Sequence, residues 1–396
     1  MKVTVVGIGA DGWSGLDDAR RRALSEADVV VGGERHLRLL PVGITPERAQ
    51  WPSPLRAGLP ALLEKYPGKR VVAIASGDPL LAGIATTLIE LLGADAVEIL
   101  PAISSEALAR ARMRWPAESV TVVRDHRELP RYLAPGHRIL VLSADASTPA
   151  EVGQLLAESG FGASLLTVME NLGGTDERRT EADARSWHAT VDNLNVVAIE
   201  CVGVAGLGWA TGLPDDAFDH DGQLTKRDAR ASALARLGPA PGQLLWDIGA
   251  GAGSIGIEWL RAHPTCRAVA VEAREDRAKR VAENAVRLGV GSLRVVTGSA
   301  PAALAGLPAP DAVFVGGGAT DDGVLDLAWR ALKPGGRIVV HGVTLQTEQA
   351  LTARYAQLGG ELTRLHVEHA EPLGSFTGWK PSRAIVQWSA TKPAGS

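Results

Sequence analysis

Segments with the pattern of β-strands alternate with segments with the pattern of α-helices along nearly the whole chain, in two separate series. Such alternation predicts parallel sheets with helices packed against their faces, so we expect an α/β protein. The strand-like segments of the first series are KVTVVGIG, ADVVVGG, RVVAIASGDP, AVEILPAISS, VTVV, HRILVLS, ASLLTVMENLGG and NLNVVAIEC. Those of the second are LLWDI, RAVAVEA, LRVVTGSA, DAVFVGGG and GRIVVHGV, followed by ELTRLHVEH and RAIVQWS. Antiparallel pairing of the last two at the sheet's end would give a seven-stranded, doubly wound sheet.

A stretch with a different composition separates the two series. Residues 203–222 hold five glycines, one proline and four aspartates, a composition typical of a linker or a domain boundary. A chain of 396 residues is also too long for one ordinary core. We therefore predict a first domain over residues 1–205, a linker over 206–222 and a second domain over 223–396.

Charge and composition narrow the possible partners and compartment. The 41 basic and 45 acidic residues give a net charge of −4, which argues against wrapping a nucleic-acid backbone. No apolar run is long enough to cross a membrane, and the first residues form a strand pattern, so we expect a cytoplasmic protein without a membrane partner. Cys201 and Cys266 show neither CxxC spacing nor a histidine cluster, which favours buried thiols and no metal site.

The stretch LLWDIGAGAGSIGIEWL, residues 244–260, reads as a strand, a glycine-rich turn and a helix that together face a polar ligand. It matches the dinucleotide pattern G-x-G-x-x-G at Gly251, Gly253 and Gly256. However, the strand ends in Asp247, and the carboxylate would repel a pyrophosphate, whereas it can accept hydrogen bonds from the ammonium group of an amino-acid ligand. Together with Gly249, the stretch therefore favours S-adenosylmethionine.

Polar or small residues also stand at the ends of the next two predicted strands. Glu272 ends RAVAVEA, where a carboxylate can accept hydrogen bonds from both ribose hydroxyls. Gly298, Ser299 and Ala300 follow the next strand, where a small residue and backbone groups can border an adenine. Open α/β sheets bind their ligands at this carboxyl edge, so the three segments support one donor site.

The first half also matches G-x-G-x-x-G, at Gly7, Gly9 and Gly12 in VVGIGADG. An isolated match of this kind is weak evidence. With ASGDPLLAG, PAISS and MENLGGTDERR, however, this half resembles the tetrapyrrole methylase family, in its branch that methylates carbon 5 of a precorrin. The resemblance covers nearly all of residues 1–205 and implies two α/β subdomains with the methyl donor folded in the cleft between them.

The second half resembles a Rossmann-like precorrin methyltransferase that acts at carbon 15 and decarboxylates. The residues that carry this resemblance are LTKRDARASALARLGPAPGQLLWDIGAGAGSIGIEWL and VEAREDRAKRVAENAVRLGV, and it extends over about residues 215–390. Together, the two resemblances imply methylation of a precorrin at carbons 5 and 15, with decarboxylation of an acetate side chain. The implied product is precorrin-8X in cobalamin biosynthesis.

The resemblance implies two S-adenosylmethionine molecules per chain, one in each half. In the first half it implies donor contacts at Gly7, Gly9, Gly77, Asp78, Ser104, Ser105 and Asn171. In the second half it implies contacts at Asp247, Gly249, Gly251, Gly253, Glu272, Gly298, Ser299 and Ala300. One departure concerns VVHGVTL, where His341 and Gly342 stand in place of the family's Asn-Ala.

The implied substrate is a tetrapyrrole that carries several carboxylates, so basic residues near the donor are candidates for binding it. Lys226, Arg227 and Arg230 lie just before and within the helix that leads to the second donor site; an exposed helix face is the alternative interpretation. His341, at a strand end, is the candidate proton shuttle for decarboxylation, and a structural histidine is the alternative. We also expect the chain to form a homo-oligomer.

Two other classes of enzyme remain open on sequence alone. Both halves also resemble RNA methyltransferases, more distantly. However, DAVFVGGG lacks the D/N-P-P-Y sequence used for methylating exocyclic amines, and no basic stripe with aromatic residues is visible. The glycine patterns alone would also fit a nicotinamide oxidoreductase, which binding of NAD(P) rather than S-adenosylmethionine would reveal.

Overall fold

In a computed structural model, which describes residues 2–44, 46–81, 83–204 and 206–395, the chain forms two units. The first comprises Met1–His126 and Tyr132–Gly206, and the second comprises Arg127–Arg131 and Leu207–Ser396. The predicted domain boundary at Ala205 lies outside the described residues. In the part of the chain that the structure describes, no helix combines the length and the apolar character needed to span a membrane.

The first sheet of the first unit has the strand order β3-β2-β4-β1-β5, and all its neighbouring strands are parallel. Its strands are β1 Val3–Ile8, β2 Val29–Gly32, β3 Glu47–Gln50, β4 Val71–Ser76 and β5 Val97–Leu100, and the helices of this part are α1 Asp18–Ser25, α2 Glu34–Arg38, α3 Leu55–Leu63 and α4 Ile84–Leu92. Apolar clusters cover both faces, as expected for a parallel sheet whose central strands are apolar throughout.

The second sheet of the first unit corrects the prediction of parallel sheets. Its order is β6-β7-β10-β8-β9, in which β6 and β7 are parallel and the other neighbours are antiparallel. The elements are α5 Ser105–Met113, β6 Val120–Val123, β7 Arg138–Leu142, α6 Thr148–Glu158, β8 Leu165–Glu170, β9 Arg178–Asp183 and β10 Asn195–Glu200. The direction of the chain reverses after β8, because β9 returns directly beside β8 without a crossover helix.

The second unit contains the seven-stranded sheet that the sequence predicts, in the order β13-β12-β11-β14-β15-β19-β16. Its strands are β11 Leu244–Ile248, β12 Arg267–Glu272, β13 Arg294–Thr297, β14 Ala312–Val315, β15 Arg337–Gly342, β16 Glu361–Leu365 and β19 Ile385–Thr391, and its helices are α7 Arg227–Leu237, α8 Ser254–Ala262, α9 Glu275–Arg287, α10 Val324–Ala331 and α11 Leu345–Leu358. The first five strands are parallel, and β19 lies antiparallel between β15 and β16. An exposed hairpin, β17 Glu368–Leu373 and β18 Phe376–Pro381, was not expected from the sequence.

Part of the stretch expected to be a linker packs against the second unit. The Glu258 carboxylate of α8 accepts hydrogen bonds from the backbone N–H groups of Gly212, at 2.6 Å, and Leu213, at 3.0 Å. Leu213 and Phe218 are buried in the same hydrophobic core as α8. These residues therefore belong structurally to the second unit.

Candidate functional site

A glycine-rich loop connects β11 to α8 at the carboxyl edge of the second unit's sheet. Gly251 adopts φ +60°, and a Cβ atom at this position would lie 2.9 Å from the carbonyl oxygen of Gln223. Both the left-handed backbone and this close approach exclude a larger side chain without rearrangement. The loop thus keeps its backbone close to a second segment, and both line the same cavity.

Glu272, at the end of β12, holds this loop in place. Its Oε2 accepts a hydrogen bond from Gly251 N at 2.8 Å, and its Oε1 accepts one from Arg274 N at 3.1 Å. The side chain is largely buried but lines the cavity. Glu272 therefore lies where the sequence predicts a ribose ligand, and it also connects the glycine loop to the start of α9.

Asp247 lies behind the loop and does not line the cavity. It is 1% exposed, and its Oδ2 accepts a hydrogen bond from Gly256 N at 2.9 Å. No group within the described ranges bonds Oδ1, which is buried. Burial raises the pKa of the Asp247 carboxyl to about 7, the Gly256 N–H opposes this rise, and the nearby Glu272 charge adds to it. A contact between Asp247 and a donor ammonium group remains a prediction.

The cavity in the second unit has a volume of about 690 Å³. The predicted residues that line it are Gly249, Gly251, Glu272, Gly298, Ser299, Ala300, Lys226 and His341. Those outside its lining are Asp247, Gly253, Arg227 and Arg230. Gly253 precedes α8 and packs against α9, where an added Cβ would lie 2.7 Å from Val281 Cγ1. The predicted strand ends therefore meet around one cavity.

The structure corrects the prediction that Arg230 binds substrate carboxylates. Its side chain is 0% exposed, and its Nε lies 2.5 Å from Glu258 Oε1 while Nη1 lies 3.2 Å from Asp215 Oδ1. Its remaining donors bind backbone carbonyl groups. Each nitrogen of the guanidinium group thus forms a hydrogen bond inside the second unit, and the buried side chain has no surface for a ligand.

The other two basic residues of this prediction are exposed. Lys226 lines the cavity and lies 3.6 Å from Asp215 Oδ2. Arg227, the first residue of α7, is exposed outside the cavity lining. Sequence reasoning missed Arg383, which lines the same cavity from the segment before β19 and forms no ion pair with any residue that the structure describes.

His341 lies at the carboxyl end of β15 and lines the cavity. Its Nε2 is 2.8 Å from the side-chain amide of Gln387 on β19. Burial lowers the pKa of His341 to about 4, the Gln387 hydrogen bond opposes this change, and the Arg236 charge adds to it. The imidazole is therefore uncharged at neutral pH.

A smaller cavity of about 220 Å³ lies in the first unit. The predicted residues that line it are Gly9, Gly77, Asp78, Ser104 and Ser105. Gly77 adopts φ +49°, and an added Cβ would lie 2.9 Å from the carbonyl oxygen of Ile103, so the turn after β4 packs closely against the turn after β5. The remaining lining includes Leu142, Met169 and Val196 from the second sheet.

Two predicted contacts of the first unit lie outside this lining. An added Cβ at Gly7 would lie 2.0 Å from the Gly77 carbonyl oxygen, so Gly7 serves strand packing. Asn171 has φ +50° and donates from Nδ2 to Asp192 Oδ2 at 2.8 Å. Neither residue faces the cavity, so a donor contact there remains a prediction.

Arg35 is a charged lining residue of the first cavity that no sequence motif marked. Its Nη2 donates to Ser76 Oγ at 2.9 Å and lies 2.7 Å from His36 Nε2. Burial lowers the pKa of Arg35, and no carboxylate among the described residues forms an ion pair with it. Its position just after β2, at the carboxyl edge of a parallel sheet, is the signal that could have identified it.

Comparison with known proteins covers both units. Family models described as "Tetrapyrrole (Corrin/Porphyrin) Methylases" and "Precorrin methyltransferase domain" match residues 2–186 and 216–392. A Sinorhizobium sp protein named precorrin-6Y C(5,15)-methyltransferase (decarboxylating) is 47% identical over 398 residues, which cover 98% of this chain and 96% of the relative.

Two shorter relatives come from Salmonella typhimurium. One, named cobalt-precorrin-6B C(15)-methyltransferase (decarboxylating), is 31% identical over 41% of this chain and 85% of its own length. The other, named cobalt-precorrin-7 C(5)-methyltransferase, is 32% identical over 44% of this chain and 88% of its own length. With the near full-length match, these findings show that the chain belongs to the family of decarboxylating precorrin-6Y C(5,15)-methyltransferases.

Proposed function

We propose that the chain transfers methyl groups from S-adenosylmethionine to carbons 5 and 15 of a precorrin and decarboxylates an acetate side chain. The reaction belongs to cobalamin biosynthesis and gives precorrin-8X. The observation that carries this proposal is the 47% identity to a decarboxylating relative over 98% of the chain. The two cavities at the carboxyl edges of parallel strands are its structural counterpart.

The residues around the second cavity fit S-adenosylmethionine. When bound, this donor supplies an electrophilic methyl group on its sulfonium sulfur. Glu272 would hold the ribose hydroxyls, the backbone of Gly249 and Gly251 would border the methionine part, and Ser299 with Ala300 would border the adenine. The buried, unbonded Oδ1 of Asp247 supports a nearby cationic group, because an ammonium would offset the cost of an ionised carboxylate.

We place a second donor molecule in the first cavity. Gly9, Gly77, Asp78, Ser104 and Ser105 line it. Apolar residues of the second sheet offer a surface for an adenine. The family resemblance implies a folded conformation for the donor in this cavity.

Methyl transfer to the reacting carbons depends more on their placement against the donor than on a strong base. Bridge carbons of the macrocycle are electron-rich through conjugation with the pyrroles, so holding one in line with the sulfonium supplies much of the acceleration. Substrate carboxylates would bind Lys226 and Arg383 in the second unit and Arg35 in the first. These cations line the cavities, and carboxylates bind strongly to such donors.

We assign carbon 5 to the first unit and carbon 15 with decarboxylation to the second. The names of the two Salmonella typhimurium relatives place these reactions on separate chains. Each unit of this chain also has a cavity of its own, which supports separate active sites.

Incubation of the purified protein with precorrin-6Y and S-adenosylmethionine tests the proposal. Mass spectrometry should show a product with two added methyl groups and one lost carbon dioxide, and a trap should collect the carbon dioxide. A product with unchanged mass would contradict the proposal.

A further inference from the structure

His341 and Gln387 face each other across neighbouring antiparallel strands. The register pairs His341 of β15 with Gln387 of β19, which places their side chains on the same face of the sheet. Both side chains are buried, and Nε2 of the imidazole lies 2.8 Å from the amide. The orientation of this amide therefore determines which ring nitrogen carries the proton.

Arg236 of α7 fixes the amide orientation. With the Gln387 oxygen toward the guanidinium group, this oxygen lies 3.3 Å from Arg236 Nη1 and 3.0 Å from Nε, whose hydrogen is shared with Glu361 Oε2 at 3.1 Å. A guanidinium group only donates hydrogen bonds, so the reverse orientation would place NH₂ donors against N–H donors. The Ser232 hydroxyl, 3.3 Å away, suits either amide atom. The amide NH₂ consequently points at His341.

The imidazole tautomer follows from this geometry. Because the Gln387 NH₂ donates to Nε2, Nε2 must be the unprotonated nitrogen, and the proton resides on Nδ1. Among the residues that the structure describes, no group bonds Nδ1, and the ring lines the second unit's cavity. The low pKa of His341, about 4, agrees with an imidazole that stays uncharged.

We infer that His341 is a fixed, uncharged hydrogen-bond donor to the substrate's acetate carboxylate, and that Gln387 and Arg236 are positioning residues that set its tautomer. This inference rests on the proposed function and replaces the proton-shuttle role predicted from the sequence. Nε2 already accepts a hydrogen bond, and loss of the Nδ1 proton would leave an imidazolate. His341 therefore neither gives nor takes a proton during the reaction.

An uncharged donor suits decarboxylation. The bond between the methylene carbon and the carboxyl carbon breaks, the electron pair moves into the conjugated macrocycle, and carbon dioxide leaves. The methylene then takes a proton from water and becomes a methyl group. A cation on the carboxylate would stabilise the reactant more than the transition state, in which that charge disperses, whereas a neutral hydrogen bond orients the group at a smaller cost.

Nitrogen-15 NMR of the full chain with labelled histidine tests the tautomer without substrate. His341→Asn identifies the signals by their loss. We expect a protonated Nδ1 and an unprotonated Nε2 for His341 at pH 7, with no titration near pH 6.5. A protonated Nε2, or a charged ring at pH 7, would overturn the inference whether or not the enzyme acts on a precorrin.

Gln387→Glu tests the functional part. Its carboxylate accepts from Nε2–H, so the pKa of His341 should rise, and the tautomer signature should disappear. Decarboxylation should fall about tenfold, while carbon-5 methylation stays unchanged, because the ring then presents either an unprotonated Nδ1, which loses the hydrogen bond, or a cation, which stabilises the reactant carboxylate. Ser232→Ala is the matched control, because it removes a hydroxyl that contacts both Arg236 and Gln387 but keeps the guanidinium group and the amide themselves. If Gln387→Glu shows the altered NMR signature but full decarboxylation, the role of His341 is refuted; if the wild-type protein is inactive, the proposed function fails instead.

Discussion

The two cavities differ in how the large sheets contribute to them. The second unit's cavity lies at the carboxyl edge of one large sheet, where residues at successive strand ends, such as Gly249, Glu272 and Ser299, line it together with His369 of the β17–β18 hairpin. The first unit's cavity takes residues from two sheets, including Leu142 and Val196 of the second sheet. A site on one sheet edge follows from strand order and motif, whereas a site between two sheets depends on packing that no local motif encodes.

The cavities also differ in the sign of the charged side chain on which each prediction rests. In the second, the Glu272 carboxylate binds the glycine loop through Gly251 N, so an acidic group holds the loop that lines this cavity. In the first, Arg35 is partly buried and bonds the neutral Ser76 hydroxyl. We therefore expect carboxylate removal to damage donor binding in the second cavity, and arginine removal to damage carboxylate binding in the first.

Replacing Arg230 should produce the largest change in stability, and only in the second unit. Arg230→Ala leaves Glu258 as a buried charge without its partner, so the unfolding free energy of this unit should fall by about 3–5 kcal/mol. Hydrogen exchange measured by mass spectrometry in urea reports each unit separately. Arg227→Ala, on the exposed side of the same helix, is the control and should change stability by less than about 0.5 kcal/mol. Loss of protection in the first unit instead would contradict this assignment.

His341 gives the second unit a pH dependence. The pKa of His341 in the folded state, about 4, lies below its ordinary value of 6.5, so the unfolded chain binds the proton more readily. The stabilisation of the folded state by the uncharged imidazole is complete above pH 6.5 and is lost as the pH falls through about 4. The total loss in unfolding free energy is up to about 3 kcal/mol. His341→Asn should therefore flatten the fall in stability between pH 6.5 and 4. An unchanged slope would show that the imidazole is not buried uncharged.

Removing the Glu272 carboxylate should weaken donor binding in the second cavity alone. Glu272→Ala should cost about 1.5–3 kcal/mol of donor affinity there, the range for a hydrogen bond to a charged group. Titration calorimetry with S-adenosylhomocysteine measures both sites. Glu275→Ala is the control, because that carboxylate is exposed on α9. Normal binding by Glu272→Ala would mean that another group holds the ribose.

Arg35 should produce the smallest of these effects. Arg35→Gln should raise the KM for the tetrapyrrole in carbon-5 methylation about tenfold, as for one lost hydrogen bond to a charged group. The affinity of the first cavity for the donor should stay constant. This result would show that Arg35 binds a carboxylate of the substrate and not the carboxylate of the donor. Arg38→Gln is the control, because Arg38 is exposed on the same helix and pairs with Glu34. A loss of donor affinity would assign Arg35 to the donor carboxylate.

The sequence was sufficient to predict which residues lie at the strand ends around the second cavity. Glu272, Ser299 and Ala300 line the second cavity. Each lies at or just after the end of a parallel strand, and the carboxyl ends of parallel strands meet at one edge of the sheet. Edge strands such as β3 and β9 escaped prediction, because their exposed polar residues lack the apolar pattern of a central strand. The fold class was therefore accessible from the sequence, and so were the edge strands that keep an apolar pattern, β5, β6, β13 and β16, whereas β3 and β9 were not.

Side-chain roles were harder to predict than positions. Arg230 lies one helical turn from Lys226, so helical spacing predicts that both face the same side. Spacing alone could not show that Glu258 of another helix forms an ion pair with the Arg230 guanidinium group. Asp247 lies at a strand end as predicted, yet its side chain faces Gly256 N behind the loop. The first outcome depends on a contact between two helices, and the second depends on the direction of a side chain within one strand–loop–helix segment.

The central claim is that each unit carries out its own reaction, and bulky substitutions in the two glycine turns test it most directly. Gly77→Trp should block the first cavity and leave one methylation with release of carbon dioxide. Gly251→Trp should block the second cavity and leave at most one methylation with no carbon dioxide. Mass spectrometry of the products, combined with carbon dioxide trapping, distinguishes these results. Decarboxylation that disappears with Gly77→Trp but survives Gly251→Trp would contradict the assignment of the two units.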